Sequence, residues 1–548
     1  MYLEHVTVRG FKSVEDAAVE FSPGFNAIFG ENGTGKSNLV QAILKLLGPT
    51  YPGPNSFSAN DHFKRDEGRE IEIVLIFNEG GSHKTLRWGP VGAGRQRLTL
   101  DGASVTDAAR DRYRPIYFPT SREVRELPGA NAWNPLGRII SELADRLKSD
   151  LNLRAGFDAK ATELNAILEQ SPDYARFKTK LREYATEHLG SRGRGLDLQL
   201  KLVDPENALR TLQVFEEQSG SSYNASASGL GVQSGITMAA LRAFADVAGG
   251  RFFIIADEPE SFLHPLSQEA LRAVFEKLFV AGTQVIVTTH SPHFVSSKSL
   301  EGLHKVWMDG GATQVLQYGF QDHVNLMQAS GITGVDGASI SGRLSQHLTI
   351  EAREGLFAKT VVLCEGDTEA GSLGVWATMK SIDFPTEGIA LVPAHGKMSM
   401  PTLAFFYKTL RIPTYIVFDS DSRKTGADRR KHAETNRLLL RIEGASEVDF
   451  PPGGVHVSYA VFSPDFEDSV RNADAQYSVK EAEVDDQLGL RPDGSKGIRA
   501  RHVALRYQTE GLVVPQPICE LIDGIKSFHE AAGSSAVLSA PATPPPSP

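Results

Sequence analysis

The sequence predicts an α/β protein built from two successive parallel-sheet units, and three observations carry that prediction. A strand at Phe25–Phe29 runs through a glycine-rich loop into a helix at Ser37–Leu47. Two continuous apolar or β-branched runs, Phe252–Ile255 and Gln284–Thr289, have the character of strands covered on both faces, with a helical stretch Pro265–Phe279 between them. From residue 358 a second rhythm begins, in which the strands Thr360–Cys364, Ile389–Pro393 and Tyr415–Phe418 alternate with the helices Glu369–Met379 and Met400–Thr409.

The remaining elements follow in chain order. Leu3, Val6 and Val8 alternate as in a strand, and Ala17–Phe21 is a second one. Glu70–Phe77 (EIEIVLIF) alternates strongly and ends at a Glu-Gly-Gly turn. Pro115–Pro119 is a short strand. From about residue 125 to about residue 200 the character changes to a helical insertion, with Ile139, Ile140, Leu143 and Leu147, then Leu164, Ile167 and Leu168, at helical spacing. It lacks the sustained heptads of a long coiled coil. The expected organisation is a first unit over 1–340, a connection over 341–357, a second unit over 358–532, and a Ser/Ala/Pro-rich tail over 533–548 expected to be disordered.

Composition narrows the classes. Of 548 residues, 41% are hydrophobic and 23% charged, the mix of a globular protein. No apolar run reaches the roughly 18 residues a membrane span needs, so no membrane partner is expected. Two cysteines, Cys364 and Cys519, make no disulfide framework, and a cytoplasmic location is the expectation. The net charge of −10 argues against non-specific coating of nucleic acid but leaves room for a local basic groove.

Two constellations carry chemistry. Gly30-Glu31-Asn32-Gly33-Thr34-Gly35-Lys36-Ser37 fits G-x-x-x-x-G-K-S in the strand-to-helix context that a phosphate-binding loop requires. Backbone N–H groups around Asn32, Gly33 and Gly35 would wrap the phosphates of ATP, Lys36 would reach the outer ones, and Ser37 would ligate Mg²⁺. The strand at Phe252 ends in Asp257-Glu258, an acid to hold the Mg²⁺ and a second to polarise the attacking water. Ser228-Gly229-Leu230-Gly231-Val232-Gln233 precedes that strand, and His290 ends the next one.

The second constellation lies in the C-terminal unit. The strand Thr360–Cys364 ends in Glu365-Gly366-Asp367-Thr368-Glu369, and Tyr415–Phe418 ends in Asp419-Ser420-Asp421. Hard carboxylate oxygens at neighbouring strand ends suit Mg²⁺ or Mn²⁺, and two such ions about 4 Å apart can activate water and steady the leaving oxygen of a phosphodiester. Glu467 is the candidate extra ligand. Lys496 is the candidate to stabilise the phosphorane charge, with Lys526 as its rival. His395-Gly396-Lys397 lies in a strand-end turn suited to phosphate. Arg423, Lys424, Arg429, Arg430 and Lys431 form a candidate DNA-backbone track.

These motifs resemble known families. The order phosphate loop, signature, Asp-Glu, histidine resembles the ABC-type ATPase heads of the RecF and SMC groups, where Ser228 would match the signature serine that touches ATP bound by the other subunit, although S-G-L-G-V-Q departs from S-G-G-Q. A glutamate after one strand and D-x-D after a neighbouring one resemble the Toprim fold. The combination, through FGENGTGKS, ADEPESFLHP, TTHSPHF, LCEGDTE and FDSD, resembles the OLD (overcoming lysogenisation defect) family of ATP-dependent nucleases from Met1 to about His529. The resemblance implies an ABC-type head with a helical dimerisation insertion, followed by a Toprim nuclease domain. It also implies ATP and Mg²⁺ as cofactors, with Mn²⁺ or Ca²⁺ as alternatives at the Toprim site, metal-dependent DNA cleavage or nicking, and defence against phage. Homo-oligomerisation through heads and insertion is implied, and some members work with a helicase-like or reverse-transcriptase/RNA partner. Glu258, His290, Glu365, Asp419, Asp421 and Lys496 would then be catalytic. Ser37 and Asp257, and separately Glu365, Glu369, Asp419, Asp421 and Glu467, would hold metal. The alternative is a non-cleaving SMC/RecF-like, ATP-dependent DNA clamp or sensor whose Toprim domain only docks nucleic acid.

Overall fold

The computed structural model describes residues 1–119, 149–189, 215–218, 221–224, 252–491 and 496–534, apart from 49, 54, 92–94, 262 and 281, together with the single positions 235, 239 and 243. Alternating burial shapes the first sheet: β1 (Tyr2–Phe11) pairs antiparallel with β2 (Val14–Glu20) and β4 (Glu72–Glu79). The sheet continues through β5 (Ser82–Val91), β6 (Arg95–Leu100) and the short β7 (Ala103–Ser104). Its inward residues, among them Val6, Val8, Ile73 and Leu75, pack with α1 (Lys36–Leu47) against the second sheet.

That second sheet runs β12-β11-β3-β10-β9-β8. Here β3 is Phe25–Phe29, β8 Ile116–Phe118, β9 Phe253–Asp257, β10 Gln284–Thr289, β11 Leu303–Asp309 and β12 Ala312–Gln317. Its strands are parallel except β12. Strands β3, β9 and β10 are buried along their whole length, as their unbroken apolar runs require. Their C-terminal ends meet in the loop after β3, in Asp257-Glu258 and in His290, the edge at which ligands bind in open α/β sheets.

The part of the insertion that is described is two successive helices, α2 (Leu151–Glu169) and α3 (Pro172–Leu189). Leu151, Leu153, Leu164, Ile167 and Phe177 are exposed on it.

The C-terminal sheet has the order β14-β13-β15-β17-β16, with β13 (Thr360–Cys364), β14 (Ile389–Pro393), β15 (Thr414–Asp419) and β17 (Tyr459–Phe462) parallel and β16 (Gly454–Val455) antiparallel at the edge. Helix α7 (Asp367–Met379) follows β13, and α8 (Met400–Thr409) lies on the other face. Helix α9 is Gly426–Ile442, α10 Phe466–Ala473 and α12 Lys496–Glu510. Trp376, Tyr477 and Tyr507 fill one side of the sheet.

The two units share one hydrophobic core. Leu344, Leu348, Ala352 and Leu356, from the stretch expected as a connection, are buried in it together with Phe29, Phe275, Leu403 and Phe406. The stretch is folded, with helices Gly337–His347 and Ile350–Glu354. At the seam, α5 (Phe320–Ala329) meets α8: Nδ1 of the buried His323 lies 2.8 Å from the Tyr318 hydroxyl and 3.2 Å from the Thr409 hydroxyl, and the Tyr318 ring is tilted beside Phe406 at 5.8 Å between centroids. Lys305 on β11 donates to the carbonyls of Leu410 (3.3 Å) and Arg411 (3.1 Å), just ahead of β15. Residues 535–548, the bulk of the expected tail, lie outside the described residues.

Candidate functional sites: a nucleotide loop and a carboxylate cluster

The loop after β3 has the backbone its glycines permit. Gly33 and Gly35 take φ of 77° and 98°, in the left-handed region that favours glycine. Gly30 (φ 156°) runs so close to β11 that a Cβ there would lie 2.0 Å from the Val306 carbonyl oxygen. Lys36 is buried and donates to the Gly30 and Glu31 carbonyls at 2.9 and 2.8 Å. Burial lowers its pKa to about 8, against the pull of Glu258, Glu260, Asp257 and Glu31. A β/γ-phosphate is the ligand that would compensate such an ammonium. Ser37 Oγ donates to Asp257 Oδ1 at 3.1 Å, so the two groups expected on Mg²⁺ already stand side by side. Thr288 also donates to that oxygen.

Glu258 has a positive φ of 47°, an uncommon conformation held by its N–H donating to the Thr288 carbonyl and hydroxyl, both at 3.0 Å. His290 Nε2 is 3.1 Å from Glu258 Oε1, and its Nδ1 is 3.4 Å from Lys36 Nζ. Burial, then Lys36, lowers the His290 pKa, while Glu258 opposes that. Asp257, Glu258, His290, Lys36 and Ser37 thus form one connected group. The sequence reading passed over Glu260: its Oε1 accepts from the His290 N–H (2.6 Å) and from the Thr289 hydroxyl (2.8 Å), and burial raises its pKa. Ser228 and the rest of the signature, and Phe262 of SFLHP, lie outside the described residues.

In the C-terminal sheet, parallel strands β13 and β15 deliver their acids to the same edge. Glu365 Oε2 accepts from the Asp419 N–H at 3.1 Å, which ties the two strand ends together. Glu369, in the first turn of α7, is buried and accepts from the Gly366 N–H at 3.2 Å. Burial pushes the Glu369 carboxyl up to about 8, and Glu365 and Glu467 add to the rise. Asp419 is raised well above the usual carboxylate range by burial, then by Glu369 and Glu365. Its Oδ1 has no hydrogen-bond partner among the described residues. Glu467 reaches the same group from α10 and pairs with Lys496 at 3.2 Å.

Asp421 stands differently. Lys397 donates to its Oδ2 and also to the Asp419 carbonyl, and approaches Glu365 Oε2 to 3.5 Å. His432 Nδ1 is 2.8 Å from Asp421 Oδ2, and Lys424 is 3.8 Å from Oδ1. Burial works against the Asp421 charge, but these partners, Lys397 foremost, hold its carboxyl below the ordinary value. Among the described residues no three His, Cys, Asp or Glu side chains stand arranged around one ion position. The Lys397 ammonium, 2% exposed, lies among them instead. The donor set still fits a hard divalent ion: buried, mutually repelling carboxylates and an unpartnered Asp419 oxygen are what such an ion relieves.

The expected lysines separate. Lys496 faces Glu467, whereas Lys526 is 3.8 Å from Glu530 on its own helix. His395 is exposed, 3.4 Å from Asp367. In the basic track, Arg423 pairs with Asp468, Arg430 with Glu434 at 2.9 Å, and Arg429 bonds the Ser422 carbonyl and covers Phe450.

Comparison with known proteins now bears on these two sites. The family model described as overcoming lysogenization defect protein-like, TOPRIM domain matches residues 356–421; an AAA domain matches 5–112 and an AAA ATPase domain 110–295. The chain carries an AAA-type ATPase head and an OLD-like Toprim domain. The OLD nuclease of Thermus scotoductus is 24% identical over 81% of this chain and 89% of its own length. The Old nuclease of Escherichia phage P2 is 22% identical over 76% of this chain and 77% of its own. Among solved structures, the SmcHead bound to the C-winged helix domain of ScpA matches with a TM-score of 0.38 and 19% identity, over 58% of this chain and 97% of that one. Both carboxylate strands of the OLD-like Toprim match, with Glu365, Glu369, Asp419 and Asp421, fall inside the matched residues. No helix among the described residues is long and apolar enough to cross a membrane.

Proposed function

We propose that this OLD-like chain is an ATP-binding and ATP-hydrolysing, metal-dependent DNA endonuclease or nickase. The observation that carries the reading is the convergence of Glu365, Glu369, Asp419 and Glu467 at one sheet edge, where burial and the neighbouring acids push the Glu369 and Asp419 carboxyls up. In the head, Lys36 binds the phosphates, Asp257 and Ser37 hold Mg²⁺, Glu258 orients and polarises the attacking water, and His290 bridges Glu258 to Lys36. Ser228 would act in trans, so the working unit is a homodimer or larger, with the α2–α3 pair contributing to it. In the Toprim domain (358–532), Glu365, Glu369, Asp419 and Glu467 hold metal. A divalent ion there supplies Lewis acidity toward phosphate oxygen and lowers the pKa of water. Lys496 meets the developing charge on the phosphorane. Cleavage in defence against phage, and a helicase-like or reverse-transcriptase/RNA partner, belong to the same reading.

Supercoiled plasmid incubated with the pure protein, with and without Mg²⁺ or Mn²⁺ and ATP, tests it. Nicked or linear product that Asp419→Ala abolishes, with ATP binding intact, is expected; full cutting by Asp419→Ala would overturn it. One observation favours the non-cleaving clamp: an ammonium, not a gap, lies among the acids. A metal-independent mobility shift without any cut product would choose that reading.

A further inference from the structure

The hydrolysis reading leaves one acid of the head without a role, Glu260. A tight turn after β9 returns it to β10: Glu258 takes its left-handed φ of 47°, Pro259 follows, and the Ser261 N–H closes on the Glu258 carbonyl at 3.1 Å. Glu260 Oε1 then accepts two hydrogen bonds at the end of β10, from the Thr289 hydroxyl at 2.8 Å and from the His290 N–H at 2.6 Å. The Thr289 hydroxyl also accepts from the Ser291 N–H at 2.9 Å, which turns its own proton toward the carboxylate. Oε2 of Glu260 is buried with no hydrogen-bond partner among the described residues, so the carboxyl acts through Oε1.

A second tie lies a few residues on. The Glu260 carbonyl accepts from the Leu263 N–H at 2.9 Å, and the Leu263 carbonyl accepts from Gln268 Nε2 at 2.9 Å. Gln268, in the first turn of the helix Pro265–Val280, accepts through Oε1 from the Ser291 hydroxyl at 2.6 Å. The segment after β9 is thus joined to the segment after β10 at two successive residues, His290 through Glu260 and Ser291 through Gln268. What these ties place is the His290 ring, with Nε2 3.1 Å from Glu258 Oε1 and Nδ1 3.4 Å from Lys36 Nζ. Glu260 binds the backbone of His290 and leaves both ring nitrogens to the nucleotide site.

We propose that Glu260 is the positioning residue for His290 in ATP hydrolysis: by accepting from the His290 N–H and the Thr289 hydroxyl, it sets where the His290 ring meets Glu258 and Lys36. The proposal rests on the hydrolysis reading above and adds a residue outside the phosphate loop and the Asp257-Glu258 pair. The role requires an acceptor at the Oε1 position and not a charge, which fixes the expected order of the variants.

The test is steady-state phosphate release by the full-length protein across a titration of Mg²⁺-ATP, with ATP affinity measured separately by calorimetry. The variants are Glu260→Gln, Glu260→Asp, His290→Ala and the Glu260→Asp/His290→Ala double variant. Glu260→Gln keeps the reach and an amide oxygen that accepts both bonds, and should hold kcat within about threefold of native. Glu260→Asp keeps the charge but is one methylene short. It should lose about 10-fold or more in kcat with ATP affinity unchanged, since a displacement of about 1 Å can cost about 10²-fold. In the His290→Ala background, itself slowed, the Asp substitution should cost nothing further, because it acts through His290. Native kcat in Glu260→Asp or in His290→Ala would overturn the proposal, as would the reverse order of Asp and Gln, or a double variant whose loss is the product of the two single losses. A native protein that binds ATP and releases no phosphate would remove the hydrolysis reading and the proposal with it. Should His290→Ala fall below detection, the order of Asp and Gln decides. Should Glu260→Asp fail to fold, Glu260→Gln decides alone, and a kcat about 10-fold below native would overturn the proposal.

Discussion

Acidification should loosen the seam between the two units, and the buried His323 sets both the direction and the size. The ring is 2% exposed, is aligned by the Tyr318 hydroxyl, and has its pKa lowered by burial from 6.5 to about 4. Only the neutral ring is accommodated, so above pH 6.5 its contribution to the packed state is complete. Below 6.5 the opened state takes a proton that the closed state refuses, and stability falls until the pH reaches about 4. At pH 5, 1.5 units into that window, the loss is about 2 kcal/mol, a factor of about 30 in the opening equilibrium. Hydrogen exchange of peptides from α5 and α8 at pH 7 and pH 5, corrected for the intrinsic rate, reads this directly. His323→Gln keeps a hydrogen-bonding group beside the Tyr318 hydroxyl and removes the titration. The native protein should exchange about 30-fold faster at pH 5 than at pH 7 in these helices, and the variant should lose that response. An identical response in the variant would refute the reasoning.

Three further outcomes follow from the geometry. Glu258→Gln should retain ATP binding and reduce hydrolysis by about 10²-fold or more, since the group that polarises water loses its charge; steady-state phosphate release measures it. Gly30→Ala places a Cβ against the Val306 carbonyl at 2.0 Å and should lower the urea midpoint and weaken ATP binding together, at a cost of about 2 kcal/mol or more. Lys305→Met strands the Leu410 and Arg411 carbonyls, should destabilise by about 1–3 kcal/mol, and should leave ATP binding intact while weakening the dependence of cutting on ATP, read from cleavage rates across an ATP titration.

What the sequence determined by itself was whatever is local or periodic. The loop from Gly30 to Ser37 is a contiguous motif whose backbone requirements are written in its glycines. The strands β3, β9, β10, β13 and β15 are continuous apolar runs, and acids directly after them must sit at the sheet edge. The α/β class and the OLD-like resemblance followed from these. Helix and strand ends were less legible: the strand expected at Glu70–Phe77 lies at Glu72–Glu79, because its end depends on pairing with β1 and β5. Lys397 was read as a phosphate contact, yet whether a lysine in a turn faces solvent or acids depends on two left-handed residues and on hydrogen bonds to β13. His432 and Glu260 were hidden because their partners lie 11 and about 30 positions away, and no local spacing links them to those partners. The shared core was equally hidden. Residues 341–357 look like a linker in one dimension; only when α5, α8 and β3 come together do Leu344, Leu348 and Leu356 acquire apolar neighbours on both sides. Periodicity states which face of an element is apolar, and tertiary structure alone decides what that face is buried against.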